Sequence, residues 1–221
     1  MNTLSVSGKN WILKEYNPDD LVFFKENFSL DEITSKLLSI RKIKKEEINS
    51  FLNPSIKSFL PNPNDLIDMV KTTSRSVKII QEKEKIGIFG DYDVDGATST
   101  ALLGNYFTEL NLDYEVYIPD RKKEGYGPSI KSFEQLINKN VKVIFTVDCG
   151  TLSFDAIKYA KEKKVDVIVL DHHQSEIKLP SAFSVVNPNR IDDKSNLQYL
   201  CAAGVAFMFL VSLNRELRSL D

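Results

Sequence analysis

Acidic and imidazole side chains recur at three points of this 221-residue sequence, each directly after a short apolar run. The chain has only two histidines, and they lie side by side in the third group. Carboxylates brought together without a partner would repel one another, whereas divalent cations would neutralise them. Carboxylate oxygens combined with imidazole nitrogens suit manganese, and magnesium less exclusively. The three groups are Asp91, Asp93 and Asp95, then Asp148, then Asp171, His172 and His173.

Each group also has a purely structural interpretation. Asp91, Asp93 and Asp95 could form a solvated turn that caps a helix beginning near Ala97. Asp148 could belong to an ordinary strand-to-helix turn, and the histidine pair could lie in a surface loop. The occurrence of all three groups after predicted strands favours a metal site over these interpretations.

The elements that would position these groups begin at Lys85, where short β-rich apolar runs alternate with helical stretches. Such alternation predicts an α/β fold with a parallel sheet and helices on both faces. Ligands bind such sheets beyond the carboxyl ends of the strands, so we expect the three groups to meet at one edge. The predicted strands are residues 86–89, 114–118, 143–147, 167–170 and 184–186, and the predicted helices are about 97–110, 129–139, 152–163 and 198–217.

Before the sheet, residues 1–62 predict a small helical N-terminal segment, and residues 63–221 form the second predicted domain. Ser29 and Glu32 have the spacing of a capping box, with Ser29 as the cap. A second helical piece, about 46–52, should end before Asn53-Pro54 because the residue before proline avoids the helical region. A longer helix is predicted from about residue 64 to residue 82.

Composition narrows the class of protein. The formal net charge of -2 excludes a chain coated with basic residues, so a nucleic-acid ligand would need a local basic cluster. Cys149 and Cys201 lie far apart and form no CxxC pair, which argues against a zinc site or a disulfide scaffold. This use of cysteine is typical of a reducing compartment, so we expect the protein to be located in the cytoplasm. The most apolar stretch, residues 200–213, is too short to cross a bilayer, so we expect no membrane partner.

The acidic groups belong to longer sequence segments, which are given at the end of this paragraph. These segments resemble the first three motifs of the DHH phosphoesterases, and they occur in the same order along the chain. This resemblance implies a Rossmann-like α/β domain and a site for two Mn²⁺ or Mg²⁺ ions, which together can activate water and clamp a phosphoryl group. The segments are GDYDVDGATST (90–100), TVDCG (146–150) and LDHHQ (170–174), followed by VVNPNR (185–190).

The resemblance implies a role for each of six side chains. The catalytic residues would be His173, which contacts the scissile phosphate, and Asp171, which orients the histidine loop. A fourth family motif, with an aspartate that completes the second ion's ligands, does not occur before Asp221. We therefore expect a fragment, half of a split gene or a remnant, with a weaker second site. The implied metal ligands are Asp93, Asp95, Asp148 as the bridge, and His172.

Further segments are similar to one branch of the family, the single-strand-specific exonucleases. Phe89 stands four residues before the first implied metal aspartate, where the branches that cleave oligoribonucleotides, cyclic dinucleotides or pyrophosphate have histidine. The resemblance implies 5′-to-3′ hydrolysis of single-stranded DNA in repair and recombination, with single-strand-binding protein or a helicase as partner. The similar segments are FLNPSIKSFLPNP (51–63), IPDRKKEGYG (118–127) and YLCAAGVAF (199–207).

Two alternative functions stay open. The chain could cleave short oligonucleotides or cyclic dinucleotides, or it could be an inactive fragment that binds nucleic acid or a partner chain. The segment with Arg121, Gly125, Tyr126 and Gly127 is also open. It could be an ordinary flexible charged loop, or it could contact DNA, with Arg121 on a phosphate and Tyr126 stacked on a base.

Overall fold

The computed structural model describes residues 5–220 and divides the chain into two compact units between Leu60 and Pro61. Residues 1–4 and 221, at the outer ends of the predicted domains 1–62 and 63–221, lie outside the described residues. Within residues 5–220, no helix combines the length and the apolar character that crossing a membrane requires.

The N-terminal unit is a group of short helices around a small apolar core. Phe24, Leu38 and Ile48 are buried there and pack against partly buried neighbours. The sequence therefore forms helices here because their apolar positions share one small core. The elements are α1 (Pro18–Phe28), α2 (Glu32–Ile40), a 3₁₀ turn (Lys45–Glu47), α3 (Ile48–Leu52) and α4 (Ile56–Phe59).

The capping box predicted at the start of α2 is wrong. The N-cap is Asp31, whose carboxylate accepts a hydrogen bond from the Thr34 amide at 2.9 Å. Ser29 instead ends α1 in the left-handed conformation, with φ of 52°. A carboxylate is as good an N-cap as a hydroxyl and adds a favourable charge at the helix start, so the cap lies two residues later than predicted.

The helix predicted from about residue 64 also starts later. Pro63–Asp65 forms a 3₁₀ turn, and α5 (Met69–Glu82) begins after Asp68, whose φ of 64° breaks the helical path. Distant contacts hold Asp68: its carboxylate accepts from the Val185 amide and from Arg190, each at 3.0 Å. Tertiary contacts, invisible in the local pattern, therefore set this boundary.

The C-terminal unit contains a five-stranded, wholly parallel sheet in the order β2-β1-β3-β4-β5, which confirms the predicted α/β fold. The central strand β3 is buried along its whole length, as expected for a sheet covered on both faces. The strands are β1 (Ile86–Phe89), β2 (Tyr114–Tyr117), β3 (Val143–Val147), β4 (Asp166–Leu170) and β5 (Ser184–Val186), all within a residue of prediction.

Helices cover both faces of this sheet. Adjacent residues of β3 point to opposite faces: Phe145 contacts Phe107 and Phe209, whereas Ile144 lies in the core that includes Phe133 and Ile157. Phe107 and Phe209 belong to α6 and α10, and Phe133 and Ile157 belong to α8 and α9. The helices are α6 (Val94–Glu109), α7 (Arg121–Glu124), α8 (Ile130–Ile137), α9 (Phe154–Glu162) and α10 (Ala202–Leu220).

Candidate metal centre

The three predicted groups of side chains follow β1, β3 and β4, which are neighbours in the sheet. Because these strands are parallel, their carboxyl ends lie at one edge. The structure therefore brings Asp91, Asp148 and Asp171 to the same edge, each one or two residues beyond the end of its strand.

Asp148, which follows the central strand, is the middle of this edge. Its side chain is 2% exposed, and within residues 5–220 its Oδ1 atom has no hydrogen-bond partner. Burial, with the charges of Asp95 and Asp93, raises the pKa of Asp148 to about 8. Its φ of 62° is left-handed, an uncommon conformation that turns the chain sharply at the end of β3. Asp148 is thus a buried carboxylate whose Oδ1 atom makes no hydrogen bond among the described residues, although the His172 Nε2 atom lies 3.3 Å from it.

Two groups of ligand atoms, each within 4.8 Å of one another, share Asp148. One group adds His172 and His173 to Asp148, and the other adds Asp91 and Asp93. The sequence assigned no role to Asp91, and it assigned His173 to the phosphate rather than to a metal. The structure places one ligand atom of each of these two side chains within 4.8 Å of the Asp148 carboxylate.

Asp91 and Asp93 differ in environment although only one residue separates them. Asp93 is the N-cap of α6 and accepts from the Gly96 amide at 2.9 Å, and this hydrogen bond lowers the pKa of Asp93. Burial and the Asp93 charge raise the pKa of Asp91. The helix begins at Val94 rather than near the predicted Ala97, so one carboxylate both caps α6 and joins the acidic group.

Gly96 allows this turn to close on itself. A Cβ atom at Gly96 would lie 2.6 Å from the Asp91 carbonyl oxygen and 2.7 Å from the Asp91 Cβ atom. Contacts that short do not occur between unstrained atoms, so any larger residue would displace the backbone that carries Asp91 and Asp93. A side chain at this position is therefore excluded by the geometry of the acidic group.

Asp95 has a different structural partner. Its carboxylate accepts from the amides of Ala202 and Ala203, both at 2.8 Å, and so caps the first turn of α10. Its Oδ2 atom lies 3.5 Å from the Nε2 atom of His172. Among the described residues, Asp95 lies outside both ligand groups that share Asp148 but borders the one with the histidines.

Asp171 holds the histidine loop, the segment that carries His172 and His173, through hydrogen bonds. It is 1% exposed and accepts from the amides of His172 and Thr151 at 2.7 and 3.0 Å, and its Oδ1 atom lies 2.7 Å from Nδ1 of His173. Burial alone would raise the pKa of Asp171, but the hydrogen bonds with His173 and Thr151 outweigh it and lower the pKa. The same contact with Asp171 raises the pKa of His173.

Asn187 and Asn189 also hold the histidine loop through hydrogen bonds. The sequence analysis assigned neither residue a role. The buried Asn187 amide donates to the His173 carbonyl and to the Thr151 hydroxyl, both at 2.9 Å. Asn189 donates to the His172 carbonyl. The signal was present: both asparagines belong to the VVNPNR segment, whose two valines end β5 and whose asparagines follow that strand, at the same sheet edge as the three acidic groups.

The segment predicted as a flexible loop is partly ordered. Arg121–Glu124 forms the single-turn helix α7, capped by Asp120 through the Lys122 amide at 3.0 Å. The predicted loop therefore contains one helical turn, because Asp120 supplies a cap that the local charge pattern does not reveal. Gly125 and Gly127 follow with φ of 83° and 77°.

This segment carries Tyr126 into the metal centre. The Tyr126 hydroxyl donates to the Asp148 carbonyl at 3.0 Å, and its ring contacts the His173 ring edge-on with centroids 5.7 Å apart. Burial, with the Asp171 charge, raises the pKa of Tyr126. The Arg121 guanidinium lies 4.7 Å from the centre of the Tyr92 ring, beside Asp91. Both predicted substrate-binding side chains thus border the acidic group.

Comparison with known proteins identifies the family that builds a site of this kind. A family profile described as "DHH family, N-terminal domain" matches residues 85–220. The chain belongs to the DHH family. The matched region contains every strand of the sheet and all three groups of ligand side chains.

Relatives of this DHH chain have a common name. The single-stranded-DNA-specific exonuclease RecJ of Haemophilus influenzae is 39% identical over 170 residues, which cover 76% of this chain and 29% of the relative. The protein of the same name from Bacillus subtilis is 32% identical over 212 residues, 96% of this chain and 27% of that relative. The chain therefore spans less than a third of the length of these curated relatives.

Solved structures show the same fold. A crystal structure of exonuclease RecJ bound to manganese matches 69% of this chain and 38% of its own, with a TM-score of 0.63 and 30% identity. The structure of RecJ in complex with Mn²⁺ from Thermus thermophilus covers 90% of this chain and 27% of its own, with a TM-score of 0.70 and 24% identity. The second likeness shows the fold alone.

Proposed function

We propose that this chain carries a two-metal centre for phosphodiester hydrolysis and that its substrate is single-stranded DNA, cleaved from the 5′ end. The observation that carries the proposal is Asp148, a buried carboxylate shared by two groups of ligand atoms. The activity named for the RecJ relatives and the manganese named for one solved relative support the same conclusion.

The residues present fit divalent cations. An ionised carboxylate that is buried without a hydrogen-bond partner costs free energy, and a cation at Asp148 would remove that cost. The donors are carboxylate oxygens and imidazole nitrogens, the set that suits Mn²⁺ or Mg²⁺ rather than a thiolate-bound metal. We propose that the four predicted ligands, Asp93, Asp95, Asp148 and His172, hold these ions. Asp91 and His173 lie within reach of the same ions.

When bound, the cations supply Lewis-acid chemistry: they neutralise phosphoryl oxygens and lower the pKa of a water molecule. The protein's own groups hold the substrate. The contact of Asp171 with the Nδ1 atom of His173 raises the pKa of His173, and a protonated ring could donate from Nε2 to a phosphate oxygen where negative charge develops. Arg121 contributes a positive charge for the strand, and Tyr126 braces His173.

The metal proposal is tested by calorimetric titration of the protein with Mn²⁺. We expect two binding events in the unmodified chain, and at most one weak event in the Asp148→Asn variant, because the shared ligand is lost. Asp113→Asn is the matched control, since Asp113 is an exposed carboxylate outside the centre and should leave both events unchanged. Absence of Mn²⁺ binding by the unmodified chain overturns the proposal.

The substrate proposal is tested with end-labelled DNA in the presence of Mn²⁺. We expect mononucleotides to be released from a 5′-labelled single strand, little release from a duplex, and none with excess chelator or with Asp148→Asn. A chain that binds Mn²⁺ but hydrolyses no strand refutes the nuclease activity of this polypeptide. Preference for dinucleotides over long strands would favour the short-oligonucleotide alternative.

The finer predictions of a partner and a location belong to the same proposal. We propose single-strand-binding protein or a helicase as partner, and the cytoplasm as location, both from the family resemblance. A pull-down with purified single-strand-binding protein, with and without DNA, tests the direct contact.

A further inference from the structure

A groove leads away from the metal centre along α9. It consists of three depressions of about 800, 600 and 330 Å³, and each shares lining residues with the next. Phe154 and Asp155 line both the first and the second depression. Lys161 and Ser181 line both the second and the third. Because His173 lines the first depression, the groove begins at the metal centre.

The groove runs from one edge of the sheet to the other. The helix α9 follows the carboxyl end of β3 and leads to the amino end of β4, so it lies antiparallel to the strands. Its nine residues span about 13 Å. Residues 178–183, which precede β5, contribute the facing wall, and the third depression reaches Asp166 at the start of β4. The far end of the groove therefore lies at the amino edge, away from the three acidic groups.

Five exposed lysines line the second and third depressions. They come from three parts of the chain, which are α5, α9 with the turn after it, and the segment before β5. Within residues 5–220, no carboxylate forms an ion pair with any of them. Cations suit the end of a single helix, but the helix dipole does not explain lysines that converge from three elements. The five are Lys71, Lys158, Lys161, Lys164 and Lys178.

The groove has a local excess of positive charge in a protein whose formal net charge is -2. Asp166, at the far end, is already paired with Arg75, whose Nε atom lies 2.7 Å from its carboxylate. Asp155 and Glu162 also line the second depression, so the lysines outnumber the carboxylates that have no arginine partner. A nucleic-acid ligand needs such a local cluster in a chain that is not basic overall.

We propose that this groove binds the phosphate backbone of single-stranded DNA on the 3′ side of the scissile phosphodiester. The inference rests on the proposed function, because a strand that is cleaved from its 5′ end must extend from the metal centre in the 3′ direction. Lysines contact phosphates without reading the bases, so the groove accepts any sequence. Such contacts release counterions, so the affinity for the strand falls steeply as the salt concentration rises.

The experiment measures how the Kd for DNA depends on salt at constant Mn²⁺. The probe is an oligothymidylate of about twelve nucleotides, within the usual range of single-strand sites. It carries a 3′-fluorescein and phosphorothioate linkages, which hydrolyse slowly, and binding is followed by fluorescence anisotropy. Each lysine–phosphate contact contributes about 0.7 to the slope of log Kd against log salt concentration.

The groove variant combines Lys158→Gln, Lys161→Gln and Lys164→Gln. We expect it to bind the strand more weakly and to lower the slope by about 2, because three phosphate contacts are lost. A second probe has neutral methylphosphonate linkages in its 3′ half. With this probe, the unmodified chain should show the reduced slope and the groove variant should add little further loss, since both changes remove the same contacts. An unchanged Mn²⁺ titration shows that the variant is folded.

The matched control combines Lys78→Gln, Lys142→Gln and Lys194→Gln, which remove the same charge from exposed lysines of the same unit outside the groove. It should keep the slope of the unmodified chain. Equal slopes for the two variants, or a full further loss for the groove variant on the neutral probe, overturn the groove while leaving the proposed function intact. Failure of the unmodified chain to bind either probe refutes the proposed DNA substrate and, with it, this inference.

Discussion

Asp148 combines two features that are unfavourable for folding. Its left-handed backbone costs roughly 1–2 kcal/mol for a residue other than glycine, and its buried oxygen lacks a partner among the described residues. Features of this kind persist where the surrounding structure enforces them, and they concentrate at functional sites. A bound cation would offset the cost of the unpaired oxygen, whereas the cost of the left-handed backbone would remain.

This burial makes the stability of the metal-free protein depend on pH. In the unfolded chain the carboxyl group of Asp148 has a pKa of about 4. In the folded protein, burial and the charges of Asp95 and Asp93 raise this pKa to about 8. Between these values the folded state retains a proton that the unfolded chain has released, so stability falls as pH rises. The slope from this one group is at most about 1.4 kcal/mol per pH unit.

Urea unfolding from pH 5 to pH 8 in a chelator measures this slope. Asp148→Asn should flatten the profile and be the more stable protein at pH 8, since its amide stays neutral. The raised pKa of His173 gives a slope of the same sign above about pH 6.5, and it remains in the variant. Parallel profiles for the two proteins would show that Asp148 is not held protonated.

Asn187 is the second residue whose chemistry can be isolated. Asn187→Asp keeps the shape but replaces two donated hydrogen bonds by a buried negative charge, so we expect a loss of about 1–3 kcal/mol in unfolding free energy. Imidazole ¹⁵N shifts of His173 should also change, because its backbone loses this restraint. Asn196→Asp, at an exposed turn, should change neither; equal effects of the two variants would refute the positioning role.

At the scale of elements, two helices begin at carboxylates of the candidate centre itself. Asp93 caps α6, and Asp95 caps α10 from more than a hundred residues away in sequence. Each helix start supplies amide donors and a partial positive charge, which stabilise the negative side chain when metal is absent. Helix capping and metal binding are therefore not competing interpretations of these aspartates, since one side chain serves both.

Paired variants at Asp93 separate the two roles. Asp93→Ala should lose the cap and reduce unfolding free energy by about 1 kcal/mol, whereas Asp93→Ser should restore most of that stability. Both variants should lose Mn²⁺ affinity in calorimetry, because neither retains the carboxylate. Recovery of Mn²⁺ affinity in the serine variant would exclude Asp93 as a ligand.

At the scale of the whole molecule, the two hydrophobic clusters described above each lie within one unit. The N-terminal core contains Phe24, Leu38 and Ile48, and the cluster with Ile144 and Phe133 lies wholly beyond Pro61. We propose that the two units correspond to the predicted domains, with the boundary at residue 60 rather than 62.

A chain of residues 61–221 tests that boundary. It should unfold cooperatively and bind Mn²⁺ as tightly as the full chain, because every proposed ligand lies in this unit. Thermal unfolding followed by circular dichroism and a parallel Mn²⁺ titration provide the comparison. A non-cooperative transition would mean that the C-terminal unit is not an independent domain.

The sequence by itself determined the sheet and the chemistry of its edge. Apolar strand patterns are local, and parallel connectivity brings successive strand ends together, so the positions of Asp91, Asp148 and Asp171 could be predicted. It also supplied the family motifs, and with them the histidine pair.

Tertiary structure alone decided how these side chains are shared. Asp95 caps α10 through a hydrogen bond from Ala202, and Asn187 holds the histidine loop through a hydrogen bond to the His173 carbonyl. Asp68 accepts from the Val185 amide, and this contact moves the start of α5 to Met69. Each contact links residues that are distant in sequence or separated by a strand, and hydrogen bonds of this kind leave no periodic pattern. The wrong cap at Ser29 has the same origin, because two nearby acceptors were available and only the folded backbone selected Asp31.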